Sequence, residues 1–367
     1  MELMQASRQW ASRPDDEKFA TLSELHAAAI KHREASFEVA ANFSDMRPQN
    51  VDGEVMLVGK KGMPARFTHW AFGQACALAA CPADYLRRIP ATLAVQNLSH
   101  GIADRLRNLA ANKVANMLFR EENDGVSIRA LNTETYSRIW DHEVTERLLD
   151  LETKGWRPAG VDIRQKSNDD RENNDLYKSD RNVFAFLCRS DLTVNERGSN
   201  GAMYKGIIVE NSEVGASALK VTRFLYREKC GNHIIWGASN VCEVKVRHVG
   251  DARLKWQGYF AAIKHYADES VNDTEAKIRY AQERMLSTKP GQAGKEEVLD
   301  AIFGRRTELS KKAIENSYDA VKPEEDGDPR SLWGFVQGVT RYSQTVQFAD
   351  ERTKLDLAAG KLLANGF

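Results

Sequence analysis

At 367 residues, with 52 basic and 52 acidic side chains, the chain is large enough for one big domain or two smaller ones and carries no net charge. That balance excludes a wholesale nucleic-acid coat of the histone kind, and 42% apolar with 28% charged residues excludes global disorder. No apolar run approaches the ~18 residues that span a bilayer, and the opening MELMQASRQWASRPDDEKF lacks a signal-peptide core, so a cytoplasmic protein without a membrane partner is expected.

In chain order, residues 1–35 read as a polar arm and a helix, with Thr21-Leu22-Ser23-Glu24 as a capping box and Leu22, Leu25 and Ala29 on one face. Residues 36–41 and 55–59 read as strands, and Lys60-Lys61-Gly62 turns the second back toward Arg66. Thr68 caps a helix carrying Trp70, Phe72 and Leu78, and Pro82 opens a second helix that Pro90 closes. This pair resembles a helix-turn-helix, although Cys81 stands where glycine is usual and the second helix is short for a major groove. A longer helix runs from Pro90 through Leu93, Leu98, Ile102 and Leu106.

Asn123-Asp124-Gly125 joins a hairpin over residues 115–121 and 126–131. A helix near 142–151 and a strand near 156–163 follow, and then a polar run from Arg164 to Asp175 reads as a surface loop. After Ser179-Asp180-Arg181 the apolar strand 183–188 precedes a second polar loop, residues 195–201.

The longest strand-type stretch runs from Gly206 to His248. Residues 206–210, 218–226 and 241–248 predict an antiparallel meander, with turns at Ser212 to Gly215 and Cys230-Gly231-Asn232. In the last strand Cys242, Val244 and Val246 alternate with Glu243, Lys245 and Arg247, which predicts one buried face and one wet, basic face. Beyond Gly250 only helices are predicted: 252–267, 274–286, 296–303, 308–321, 332–342 and 351–363. The reading is an α+β protein with a mostly antiparallel sheet, hairpins and packed helices: arm 1–35, core 36–250 and helical region 251–367.

Between Lys205 and His248 seven cations (Lys205, Lys220, Arg223, Arg227, Lys229, Lys245, Arg247) face four carboxylates (Glu210, Glu213, Glu228, Glu243). With Phe224 and Tyr226 as stacking rings, these cations are the candidate surface for DNA, preferentially single-stranded. A solvated sheet face with core aromatics is the ordinary alternative.

No Walker loop, dinucleotide fingerprint, H-E-x-x-H or nucleophile elbow is present, so no catalytic residue is assigned and an enzyme is not the expected reading. Glu243-x-Lys245, with Glu228 or Glu213, has the form of half a metal-dependent nuclease site. Cys230, His233, Cys242 and His248 have an order that suits zinc, but Cys242 shares the buried face of its strand. The five cysteines form no C-x-x-C pair and read as reduced, packed thiols, so no metal or cofactor is assigned.

Several motifs occur together in one order: Thr68-His69-Trp70-Ala71-Phe72-Gly73-Gln74, Tyr85-Leu86-Arg87-Arg88-Ile89-Pro90, Arg129-Ala130-Leu131, Tyr136-Ser137-Arg138-Ile139-Trp140, Ser179-Asp180-Arg181, Asn211-Ser212-Glu213-Val214-Gly215 and Cys230-Gly231-Asn232. On these the chain resembles a family of phage/plasmid-like proteins found in phages, plasmids and integrated elements. That resemblance implies a mobile-DNA habitat and carries no catalytic residues. The architecture also looks like that of phage single-strand annealing proteins. Single-stranded DNA binding with annealing or recombination, by a homo-oligomer without a cofactor, is therefore the expected function. A counter-defence protein that binds a host protein is the alternative, and a metal-dependent nuclease the third.

Overall fold

The computed structural model describes residues 15–42, 45–59, 62–108, 114–158, 175–194, 203–227, 233–234, 244–252, 256, 258, 263, 271–304, 309–343, 345, 355 and 358–363. Its strands are β1 (Lys18–Phe19), β2 (Ser36–Asn42), β3 (Arg47–Val51), β4 (Glu54–Val58), β5 (Pro64–Phe67), β6 (Val114–Glu122), β7 (Gly125–Thr133), β8 (Trp156–Pro158), β9 (Leu176–Lys178), β10 (Val183–Val194), β11 (Met203–Asn211), β12 (Leu219–Arg227), β13 (His233–Ile234) and β14 (Val244–Val246). The helices are α1 (Leu22–Glu34), α2 (His69–Leu78), α3 (Ala83–Leu86), α4 (Ala91–Asn108), α5 (Asp141–Glu152), α6 (Val271–Glu283), α7 (Gly291–Phe303), α8 (Lys311–Ala320), α9 (Pro323–Asp326) and α10 (Leu332–Ser343). The α+β reading holds: strands form two sheets, and the elements after β14 are helical.

The first sheet has the order β2-β6-β7-β5-β4-β3, antiparallel except for the parallel pair β5 and β7. Its two edge strands are consecutive in sequence, Arg47 following Asn42 by five residues. Five residues reach at most about 18 Å, whereas six flat strands about 4.8 Å apart would hold the edges about 24 Å from each other. The sheet must therefore curl until its edges approach.

Helix α2 packs into the curled sheet, with Ala71 and Ala75 against Met117, Ile128 and Leu131. The opposite face carries Leu118 and Ala130, which meet Trp140 and Val214 of the following elements. Inward and outward residues change phase at a bulge in β7: Leu118 pairs Ala130 and Phe119 pairs Ile128, which leaves Arg129 as the extra residue.

Sequence reading missed β3, whose text RPQNV is polar and contains proline. The hairpin into β4 is nonetheless sequence-encoded, because Asp52 and Gly53 take φ of 52° and 87°, the left-handed pair that a two-residue hairpin turn requires.

The second sheet has the order β1-β9-β10-β11-β12-β13, with β14 on β12 and β8 on β10, all antiparallel. The predicted meander is β11, β12 and β14, and Val246 is buried beside exposed Arg247 as the alternation requires. The expectation of a wet basic face fails on β11, where every residue is buried. One face carries Ile207 and Val209 into a core with Leu22 and Leu25 of α1 and Val144 and Leu148 of α5. The other carries Tyr204 and Ile208 into an aromatic layer with Tyr177, Phe184, Phe186 and Phe224.

The N-terminal helix α1 is thus built into the main core, and β1 extends the sheet beside β9. Helices α6, α7, α8 and α10 gather around Val194, Met203 and Leu225 at the far end of the same sheet. Among the described residues no helix is long and apolar enough to cross a membrane.

Candidate functional site

Charged side chains concentrate where the two sheets meet. The bulge at Arg129 aims its guanidinium across the junction, where Nη1 donates to Glu213 Oε2 at 2.8 Å and Nη2 to the Asp180 carbonyl at 2.9 Å. Glu213 Oε1 accepts the Asp141 amide at 2.9 Å, at the first turn of α5. The Asp141 carboxylate accepts Lys178 Nζ at 2.5 Å and Asn211 Nδ2 at 2.8 Å. Arg138 donates to the Glu213 carbonyl, to Glu38 at 2.9 Å and to Asn132 at 3.2 Å. Arg129, Glu213, Lys178 and Asp141 all have side chains no more than 1% exposed.

The turn from Ser212 to Gly215 is the hinge of this network. Gly215 takes φ of 83°, and its amide donates to the Ser212 carbonyl at 3.3 Å. The turn thereby presents the Val214 carbonyl to both Trp70 Nε1, at 3.1 Å, and Asn132 Nδ2, at 3.2 Å. Tyr136 Oη donates to the Ser212 carbonyl at 3.1 Å, and its ring stacks on His248 at 5.1 Å. Arg181 lies over the Trp70 ring at 4.8 Å, and its carbonyl accepts the Ser212 hydroxyl at 2.6 Å.

The electrostatics follow from burial and pairing. Burial would push the Glu213 carboxyl up, but the charges of Lys178 and Arg129, with the Asp141 amide, hold it down to about 2. Burial and the charge of Glu213 push Asp141 up, against the pull of Lys178. Burial, then Lys178, Arg120 and Arg129, lower His32 to about 3, so it stands neutral beside the network. Burial likewise lowers His248 to about 4. These groups occupy one another: the arrangement fastens two sheets, and within it no nucleophile or free carboxylate faces solvent. Among the described residues no three histidine, cysteine or carboxylate side chains gather as a metal site.

The candidate DNA-contacting residues do not share one face. Lys205 and Phe224 are corrected: they are 1% and 0% exposed, because both faces of β11 are covered and the Phe224 ring lies over Gly206. The β11–β12 register pairs Ile207 with Arg223 and Gly206 with Phe224, which sets Arg223 and Lys220 on opposite faces. Arg223 and Lys220 are half-buried, and Lys220 reaches Glu210 at 3.5 Å. Arg247 is exposed.

The backbone of Lys245 pairs with Lys220, and Tyr226 and Arg227 pair with Tyr204 and Met203. Lys229, Glu228, Cys230, Cys242 and Glu243 lie outside the described residues. Of the other metal candidates, Glu213 is bound to Arg129, His248 is buried with Nδ1 accepting the Ile139 amide at 3.4 Å, and the His233 backbone pairs with Tyr226 in β13. Helix α3 is a single turn of four residues with Leu86 buried, which removes the helix-turn-helix reading.

Charge at Arg129, Asp141, Lys178 and Glu213 has no period that separates it from surface charge, and sequence reading did not assemble it. The one available signal was the motif set, since Arg129-Ala130-Leu131, Ser179-Asp180-Arg181 and Asn211 to Gly215 all converge here.

No curated protein and no solved structure matches the chain. A family model described as a domain of unknown function, DUF932, matches residues 163–360. The match takes in β9 to β14 and the helices after them, and leaves the curled N-terminal sheet outside. Because it spans more than half of the sequence, the chain belongs to the DUF932 family of uncharacterised domains.

Proposed function

We propose that this protein binds single-stranded DNA and promotes strand annealing for a phage, plasmid or integrated element, working as an oligomer of identical subunits. The observation that carries the reading is the register of β12 and β14, which sets Lys245 directly opposite Lys220. Two lysine positions brought together by backbone pairing suit a phosphate partner. Glu210 is the one carboxylate paired in register with Lys220, and Arg247 adds an exposed cation just beyond β14. The surface is accordingly narrowed from the whole sheet to the β12–β14 edge, with Lys205 and Phe224 withdrawn from it. Contacts of this kind follow the backbone and read little sequence.

The reading is tested by the annealing rate of complementary labelled oligonucleotides followed by energy transfer. Acceleration by the wild-type protein, lost in Lys245→Glu/Arg247→Glu with its fold intact, is the expected result. Unchanged annealing by the double variant, or no acceleration at all, refutes it.

A further inference from the structure

We propose that the curled N-terminal sheet holds a binding site for a small, neutral, apolar molecule. Its concave side encloses a cavity of about 670 Å³, within the ~300–1,000 Å³ typical of small-molecule pockets. Five strands and the β2–β3 link contribute walls, among them Phe37 and Val39 from β2, Leu57 from β4, Ala65 from β5 and Met117 and Phe119 from β6. Helix α2 occupies the rest of the concavity through Ala71 and Ala75, so the cavity ends against a packed core.

The chemistry of the walls selects the ligand. Phe37 and Phe119 stack at 5.4 Å with an interplanar angle of 12°, which gives a flat apolar wall suited to a ring. Met46, Met63 and Met117 line the same space with side chains that adapt to an occupant's shape. Among the described lining residues there is no cation, so an anion would enter these apolar walls without a counter-charge. Phe37, Val39 and Met63 remain 40%, 38% and 67% exposed, so apolar surface stays wet that an occupant would cover. The curled walls leave a cavity open on one side, of a size that admits a compact molecule.

The test uses the full chain and the neutral fluorophore N-phenyl-1-naphthylamine, with its anionic relative anilinonaphthalene sulfonate as the control. Saturable binding of one neutral probe per chain is expected, with the anionic probe weaker. Val39→Lys places a charge in a wall position that is already partly exposed and should weaken the neutral probe by roughly tenfold or more. If Val39→Lys does not fold, Met63→Lys at the rim serves in its place. Non-saturable binding, or affinity unchanged in both lysine variants, overturns the proposal. So does tighter probe binding after deletion of residues 1–14, which would make the N-terminal segment the natural occupant. Self-association that the lysine variants abolish would assign the site to a second copy and overturn it as well.

Discussion

Replacing Glu213 by glutamine tests the junction at its centre. The amide can still accept the Asp141 N–H through its oxygen, but its nitrogen would then face the Arg129 guanidinium, donor against donor, where 2.8 Å now separates a charged pair. Arg129 and Glu213 are each 1% exposed, so no water replaces the lost acceptor. Leaving one member of a buried ion pair uncompensated costs about 3–5 kcal/mol, a large part of the ~5–15 kcal/mol that holds a domain folded. Urea unfolding at neutral pH, followed by tryptophan fluorescence, should show that loss in Glu213→Gln. It should show a much smaller one in the double variant Arg129→Met/Glu213→Gln, which removes both charges. The coupling between the two sites is then on the order of 2–3 kcal/mol. A single variant within about 1 kcal/mol of wild type, or strictly additive losses, would refute the assignment of this pair as the fastening between the sheets.

Acid sensitivity should begin with histidine. His32 is lowered in the fold to about 3 from an ordinary 6.5, so its contribution is complete above pH 6.5 and is lost as pH falls toward 3. Between pH 6.5 and 5 this amounts to about 2 kcal/mol, and a folded His32→Gln variant should reduce the slope of the stability profile in that window, the remaining slope belonging to His248. Glu213 acts lower: its depressed carboxyl stabilises the fold above the ordinary 4.5 and loses that effect toward 2, while Asp141, pushed up by burial, opposes it. Unfolding curves at half-unit pH steps separate the two windows. Gly206→Ala should cost roughly 1–3 kcal/mol by overpacking, because a Cβ there would stand 2.4 Å from Phe224 Cζ. A thermal scan that finds this variant as stable as wild type would contradict the packing of the aromatic layer.

What the sequence disclosed depended on whether a signal is local. The turn at Asn123-Asp124, the capping box at Thr21 and the alternation at Val246 and Arg247 rest on neighbouring residues, and all three stand in the structure. The curl of the first sheet comes from pairing β2 and β3 at opposite edges, which strand propensity does not contain. Burial of Lys205 follows from covering both faces of β11, and a strand covered on both sides loses the period that marks a wet face. Arg129 is aimed by a bulge whose position is a matter of register between β6 and β7. The candidate DNA contacts were chosen by neighbouring charge and aromatic residues along the chain, which grouped Arg223 with Lys220 although the register sets them on opposite faces.

Under the proposed function, nucleic acid would meet the β12–β14 edge. The most direct test of this is fluorescence anisotropy of a labelled single-stranded oligonucleotide, titrated over a salt series with wild type and with Lys245→Glu/Arg247→Glu. Binding should weaken as salt rises, and the double variant should bind more weakly with a log–log salt slope shallower by about 1.4, two phosphate contacts at ~0.7 each on single strands. An absence of binding at low salt, or equal affinity and slope for both proteins, would contradict the account.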